Sequence, residues 1–385
     1  MRPIFCQSIV KEPRVPAPVN SSSQLRRFIK VILLGLIGAT PPLFSQGVAT
    51  TGSVGLLSLP AQSASDTIVS LPLHRPDVFR GSIASVAGPV VTLRQASFQE
   101  DAFNGLFYLL LESGSGEGSW FPITDTAGAT ITVDLGLGIG AGVLVGDVVV
   151  KIIPFWTLDT VFPNGKGVNA SGSLLPVTRV LLPDAGSAGV RLAPSSSFLY
   201  YSGSGHGGEG WRKFGYAPLV KFDNQILPPA SSLIVRHDSG AGTVFENLGH
   251  VQTSSYSVLL GTIAANTAQD HSLGLGLPLP ITLAGSRLFE SGAFGASSVL
   301  DQPVDQLLVF DQANPARNRV PSSAYYYYSG SQNGGPGWRL LGDPGTIRDG
   351  AAVFQPAHGF VIRKAAGAIP VSSRWTLRPA YLDLP

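Results

Sequence analysis

Cysteine is almost absent from this chain: the single copy, Cys6, stands ahead of a short apolar run near the N-terminus. A chain cut after that run would hold no disulfide, no thiol nucleophile and no Cys-ligated metal. Charge is scarce as well, at 13% of residues with a net of +2. Its Lys and Arg are scattered, with several near the N-terminus, and form no basic stripe able to displace counterions, which argues against nucleic acid as a partner. Convincing helical periodicity is also missing beyond the N-terminal region, leaving room for a helical turn or two at 161–172 and 288–299.

What the chain has in quantity is 46 Gly and 30 Pro within 385 residues that are 44% hydrophobic. Gly and Pro punctuate loops and weaken helix interiors, the one through entropy and the other through its missing amide donor. Val, Leu, Ile, Thr and aromatics suit a pleated, half-buried surface. So apolar a chain offsets its ordering entropy by burial, which argues against disorder. The expectation is an all-β protein of many short strands.

Arg26, Arg27 and Lys30 precede the apolar run from Val31 to Ala39, which Pro41 and Pro42 interrupt. A basic segment, a short apolar stretch and then small residues form the secretory pattern. The run is shorter than the ~20 residues a spanning helix needs. Export to the periplasm, cell surface or medium is expected, with cleavage between Phe44 and Thr51 and no transmembrane span afterwards. The alternative is an anchor that is never cut. Arg26-Arg27 resembles a twin-arginine signal, although Phe28 stands one place early for it.

The second half of the sequence says one thing twice. PSSSFLYYSGSGHGGEGWRKFG (194–215) returns as PSSAYYYYSGSQNGGPGWRLLG (321–342) at an offset of 127 residues, the separation of Trp211 and Trp338. The offset holds without a gap from Phe162/Phe289 to Arg236/Arg363, passing Asp184/Asp311 and Pro229/Pro356. Each copy reads as a strand, an Asp-containing turn, an aromatic strand, a Ser/Gly loop, a Trp-Arg strand and a closing strand. Upstream, GSIASVAGPVVTL (81–93) alternates as a half-buried hairpin does, and ATITVDL and GDVVVKIIP continue a meander. The expected organisation is a leader (1–48), an N-terminal antiparallel barrel or sandwich (49–151), and two related β modules (152–276 and 277–385).

SLPLHRP (70–76), ESGSGEGSWFPIT (112–124), IIPFWTLDTVFP (152–163), both YYSG-to-GWR segments and VFQPAHGFVIRK (353–364) together resemble a family of uncharacterised, paralogous exported bacterial proteins. The resemblance implies export and carries no activity, cofactor or catalytic residue.

Catalytic patterns are wanting. No G-x-S-x-G elbow occurs, and the six histidines lack zinc-binding spacing. His206 and Glu209 share one glycine loop, but their equivalents are Asn333 and Pro336, which favours a solvated loop over a metal site. Glu112 and Glu117 flank a Gly/Ser turn and read as a solvated hairpin tip rather than a glycosidase pair. Asp184/Asp311, Arg212/Arg339 and Arg236/Arg363 read first as turn caps or ion pairs and second as ligand contacts. No cofactor or metal is expected.

The aromatic hairpins are the best binding candidates. Successive strand residues face opposite ways, so Phe198 to Tyr201 and Tyr325 to Tyr328 put aromatics on both faces. Trp211 and Trp338 lie on the returning strands, within cross-strand reach. Two readings stay open: core packing, or a platform for sugar rings or protein made by Trp211, Trp338, Tyr200, Tyr201, Tyr327 and Tyr328 with Arg212 and Arg339. The leading function is a non-enzymatic envelope or extracellular protein, structural or adhesive, with polysaccharide or other envelope proteins as partners. Carbohydrate binding is the alternative, and a glycan-active hydrolase a weaker one.

Overall fold

The computed structural model describes residues 52–136, 141–184 and 186–383. The expected leader, the expected cleavage region and Cys6 lie outside the described residues. The chain is 41% strand and 5% helix. Among the described residues no helix is long and apolar enough to cross a membrane.

The chain opens with β1 (Val54–Ala61) and β2 (Asp66–Ser70). Six strands then close a barrel: β3 (Phe79–Ala87), β4 (Val90–Leu93), β5 (Phe107–Leu111), β6 (Trp120–Ala127), β7 (Thr130–Val133) and β8 (Val149–Pro154), in the order β3-β4-β7-β6-β5-β8. The expected hairpin at 81–93 is β3 and β4. Alternation sends Ile83, Val91, Leu109, Phe121, Ile131 and Ile152 inward, where they fill the lumen. β5 is apolar on both faces because its outer residues, Tyr108 and Leu110, are also buried, packing with Ile153, Phe155 and Trp120 on the barrel's outside.

After the barrel come β9 (Trp156–Thr157), a one-turn helix α1 (Leu158–Val161), β10 (Thr178–Pro183), β11 (Pro194–Tyr201), β12 (Gly210–Lys213), β13 (Ile226–Leu227), β14 (Ser232–His237) and β15 (Thr243–His250). Thr157 and Thr160 cap α1 reciprocally. The last stretch holds β16 (Tyr256–Gly261), β17 (Gln269–Gly274), β18 (Gln306–Val309), β19 (Ser323–Tyr328), β20 (Gly337–Leu340), β21 (Gly359–Lys364) and β22 (Ser372–Leu377).

Two five-stranded antiparallel sheets have matching orders: β12-β11-β10-β14-β2 and β20-β19-β18-β21-β17. Each is accompanied by a two-stranded ribbon, β1-β15 in the first module and β16-β22 in the second. The expected boundaries therefore need correcting. β1 and β2 belong to the first module, although they precede the barrel, and β16 and β17 belong to the second module rather than to 152–276. The barrel is an insertion into the first module. Asp66 and Asp270 occupy equivalent places at an offset of 204, whereas Arg236 and Arg363 differ by 127, so the first module carries 77 additional residues there. Repeat matching in the sequence loses β1 and β2 because this insertion breaks the offset.

The modules meet through exchanged contacts. Ser70 N–H donates to Ala357 O at 2.8 Å, and its equivalent Gly274 donates to Ala230 O, the equivalent of Ala357, at 2.9 Å. Asp66 N–H reaches Ala316 O, and Asp270 N–H reaches Gly189 O. Each module's β10–β11 or β18–β19 loop thus covers the other's β2 or β17 edge, an arrangement like a two-fold dimer interface. The close approach demands glycine on one side. A Cβ on Gly274 would lie 1.9 Å from the Ser70 Cβ, and one on Gly359 would lie 2.7 Å from that of Ser232. In both pairs the facing residues are sequence equivalents, serine in the first module and glycine in the second.

Candidate functional site

The aromatic hairpins come first, because the sequence singles them out. β11 pairs with β12 so that Tyr200 stands opposite Trp211, and β19 with β20 so that Tyr327 stands opposite Trp338. Both tryptophans are 0% exposed. Trp211 packs against Phe162 and Tyr200, and Trp338 against Phe294 and Tyr327, in tilted or edge-on contacts of 5.0–5.7 Å. Tyr327 is half-buried and stacks on Phe289.

The opposite faces are closed too. Tyr201, Tyr326 and Tyr328 are buried there, as Tyr200 is beside Trp211, and the Arg212 and Arg339 guanidinium groups sit over the Tyr201 and Tyr328 rings at 5.6 and 5.8 Å. Arg212 donates to the carbonyls of His206, Gly208, Pro218 and Trp211; Arg339 donates to those of Asn333 and Gly335. These arginines tie the Ser/Gly loops down over the second aromatic face. The platform of Trp211, Trp338, Tyr200, Tyr201, Tyr327 and Tyr328 is thereby overturned: the sheet buries one aromatic row in the core, and the folded-back loop buries the other.

The remaining candidates resolve into structural bonds. Asp184 and Asp311 accept the amides of Gly186 and Ala313, each two residues on, capping their own turns. Arg236 forks onto Asp66 with two bonds of 2.6 Å, and Arg363 onto Asp270 at 2.7 and 3.0 Å. These carboxylates lie on β2 and β17, outside the sequence match. Glu112 and Glu117 do not form a solvated pair. Burial pushes the Glu112 carboxyl up, and hydrogen bonds from Lys151 and Arg80 outweigh it, holding the group below the usual carboxylate range. Glu117 accepts the Ser255 amide and hydroxyl at 2.7 and 3.0 Å, fastening the barrel to the second module. Among the described residues no group of three His, Cys, Asp or Glu side chains could hold a metal.

Sequence reasoning missed a groove where the modules meet. It encloses about 420 Å³ beside the end of β1, the turn after β18 and the segment leading into β21. Leu59, Val309, Phe310, Val353 and Phe360 make its apolar lining. Gln312 clamps the edge of β2, accepting the Ile68 amide and donating to the Ile68 carbonyl, both at 2.8 Å. Gln62 donates to the carbonyls of Gln312 and Ala313, at 2.9 Å each, while its Oε1 is buried with no hydrogen-bond partner. Burial pushes the His358 imidazole down, favouring the neutral ring. By contrast, the crevice between barrel and modules near Tyr108 and Trp156 encloses about 50 Å³, room for a water or two.

One signal for the groove is present in the sequence. Gln312, Gln355 and His358 stand where the first module has Ala185, Pro228 and Ser231, while the neighbouring apolar positions stay apolar. The chain matches no family model, no curated protein and no solved structure.

Proposed function

We propose that the chain is a non-enzymatic protein of the cell envelope or extracellular space, built from two modules descended from one, with a structural role that rests on self-association. The observation that carries this reading is the outward face of the β1–β15 ribbon. Val54, Leu56, Val244 and Leu248 are 47–61% exposed there, beside the exposed Pro60. These side chains lie on either side of the exposed Ser58–Glu246 pair on the same face, and exposed apolar area gathered in this way serves contact with another surface.

The second module's ribbon offers the comparison. Its outward face is polar and lies under the barrel: Ser257 donates to Glu117 O, and Arg374 to Ser115 O and the Ser119 hydroxyl. With one barrel for two ribbons, the first ribbon keeps an open face. Its occupant is a second copy of the chain. Glu246 and Lys166 form an ion pair of 2.7 Å at this face, so a two-fold axis through that point brings each charge opposite its complement on the partner. The basic and apolar leader, with the resemblance to exported proteins, supports an extracytoplasmic location.

Sedimentation equilibrium of the full chain against a Leu56→Glu/Leu248→Glu variant tests the reading. A concentration-dependent dimer in the wild type and a monomer in the variant, with equal melting temperatures, is the expected result. A wild type that stays monomeric at every concentration sinks self-association. A tagged chain found only in the cytoplasm at full mass sinks the location.

A further inference from the structure

We infer that the open edge of β1, with the groove beside its end, accepts an extended apolar segment of another protein, which adds to β1 as a third strand of the ribbon. The inference concerns the ribbon's edge and not its outward face, so it stands or falls independently of self-association.

The backbone comes first. His250 uses both its amide and its carbonyl on His74, and the Val251 amide reaches Ser53 O at 2.8 Å. The β1–β15 register is unbroken, with Val54 opposite His250. These bonds fix its phase: the odd-numbered residues of β1 bond to β15, while Val54, Leu56 and Ser58 point their amides and carbonyls away from it. No strand or loop among the described residues pairs with those groups. β1 carries no charged side chain, and its one proline, Pro60, lies beyond them. Charges and prolines are what guard a strand edge against a further strand, so this edge is unguarded.

The second module shows the same edge closed. The Thr262 amide bonds to Val371 O, which by alternation turns Ser255, Ser257 and Gly261 outward. Glu117 takes the Ser255 amide, and the barrel's turn follows so closely that a Cβ on Gly118 would lie 2.3 Å from Ser255 O and 3.0 Å from Ser257 N. His271 Nε2 lies 3.1 Å from Gly261 N and 2.7 Å from its carbonyl oxygen. The first module has Thr67 where the second has His271, and that short side chain is buried. It has no second barrel either.

The grooves follow the same rule and point to the occupant. The segment leading into β21 lines the open groove with β1, and its equivalent, leading into β14, lines the crevice of about 50 Å³ with β16. The two spaces are therefore mates under the approximate two-fold. In the crevice, the barrel's β5–β6 hairpin supplies Tyr108, Leu110 and Trp120 and leaves little room. The open groove keeps about 420 Å³ over Leu59, Phe310, Val353 and Phe360. What fills such a space in this molecule is uncharged strand with apolar and aromatic side chains. A strand from outside meets both needs, with main-chain bonds to β1 and alternate side chains in the groove. A sugar, a lipid or an anion offers no run of alternating donors and acceptors for the edge.

The test pans a phage-displayed library of random nonapeptides against the full chain and against Ser58→Pro. The Ser58 amide points outward, so proline there removes no bond to β15 and leaves Leu56 and Leu248 in place on the face. The expected result is enrichment of uncharged peptides with apolar residues at alternate positions. A synthetic copy of the most enriched one should slow hydrogen exchange at the Val54, Leu56 and Ser58 amides. It should bind Ser58→Pro about tenfold or more weakly, at an unchanged melting temperature. Should Ser58→Pro fail to fold, the same peptide N-methylated at alternate residues decides the matter by losing its affinity for the wild type. Three results overturn the proposal. Either no peptide is enriched, or the enriched ones bind as tightly to Ser58→Pro or when N-methylated. In the third, the three amides are protected without peptide as protein concentration rises, which assigns the edge to a second copy.

Discussion

At one buried position the two modules use different chemistry for the same task. In the first, His237 at the end of β14 is fully buried, its Nδ1 2.7 Å from the Thr178 hydroxyl and its Nε2 3.1 Å from that of Thr243. Thr178 also accepts the Asn169 amide. In the second, the equivalents of His237 and Thr178 are Lys364 and Asp305, a buried ion pair in which Lys364 also donates to Ala293 O. Asp305 accepts the amides of Gly295 and Ala365 at 2.6 and 2.8 Å. Both sets fasten the preceding loop to the sheet. The backbone requires an acceptor at 178/305 and a satisfied polar neighbour at 237/364, and it leaves the charge open.

The largest expected effect comes from splitting the charged version. Asp305→Ala strands the Lys364 ammonium in the core and removes the acceptor for two amides. We expect a loss of about 3–5 kcal/mol in urea unfolding, typical of an orphaned buried charge. Moving the first module's pair into the second, with Asp305→Thr and Lys364→His together, is expected to recover most of it. A double variant as unstable as Asp305→Ala would show that the two networks are not interchangeable. The barrel insertion and the differing loops would then constrain the site more than the shared sheet does.

The next effect probes the serine–glycine asymmetry at the module interface. Gly274→Ala places a Cβ against Ser70, and overpacking of this kind costs about 1–3 kcal/mol. Ser70→Gly in the same chain removes the opposing atom and is expected to return most of the loss, a coupling that a double-mutant cycle measures. Additive effects would mean that the strands relax apart and that the close approach is not what fixes glycine there.

The sequence conveys some of this architecture and hides the rest for physical reasons. The all-β class is legible because Gly, Pro and β-branched residues act locally, through backbone entropy, missing donors and pleat packing. The barrel hairpins are legible from alternation. Module boundaries are hidden because β2 pairs with β14 across the whole inserted barrel, and no local pattern records a partner 170 residues away, as Asp66 and Arg236 are. The aromatic hairpins mislead for a related reason. Period two separates two faces but does not report that Arg212 and Arg339 fold a loop back over the second one. The groove is a product of the interface, so its only trace in the sequence is the handful of polar departures from the repeat.

Acid should separate the modules' chemistries by the smallest margin. Burial pushes the His237 imidazole below its ordinary value of about 6.5, against smaller upward pulls from a hydrogen bond with the Ala61 backbone and from the Asp238 charge. The unfolded chain therefore takes up the proton first as pH falls. The neutral ring's contribution is complete above about pH 6.5 and is lost below it, by at most about 1.4 kcal/mol for each pH unit down to the folded value. His74, His271 and His358 are depressed in the same direction, also through burial, so the wild type should weaken steadily from pH 6.5 towards 5. His237→Gln keeps a neutral polar group at the position and carries no titrating proton. Its urea midpoint should fall less than that of the wild type between pH 7.5 and pH 5. An identical fall in both would place the acid sensitivity in the other three histidines and make the first module's neutral network no more acid-sensitive than the ion pair that replaces it.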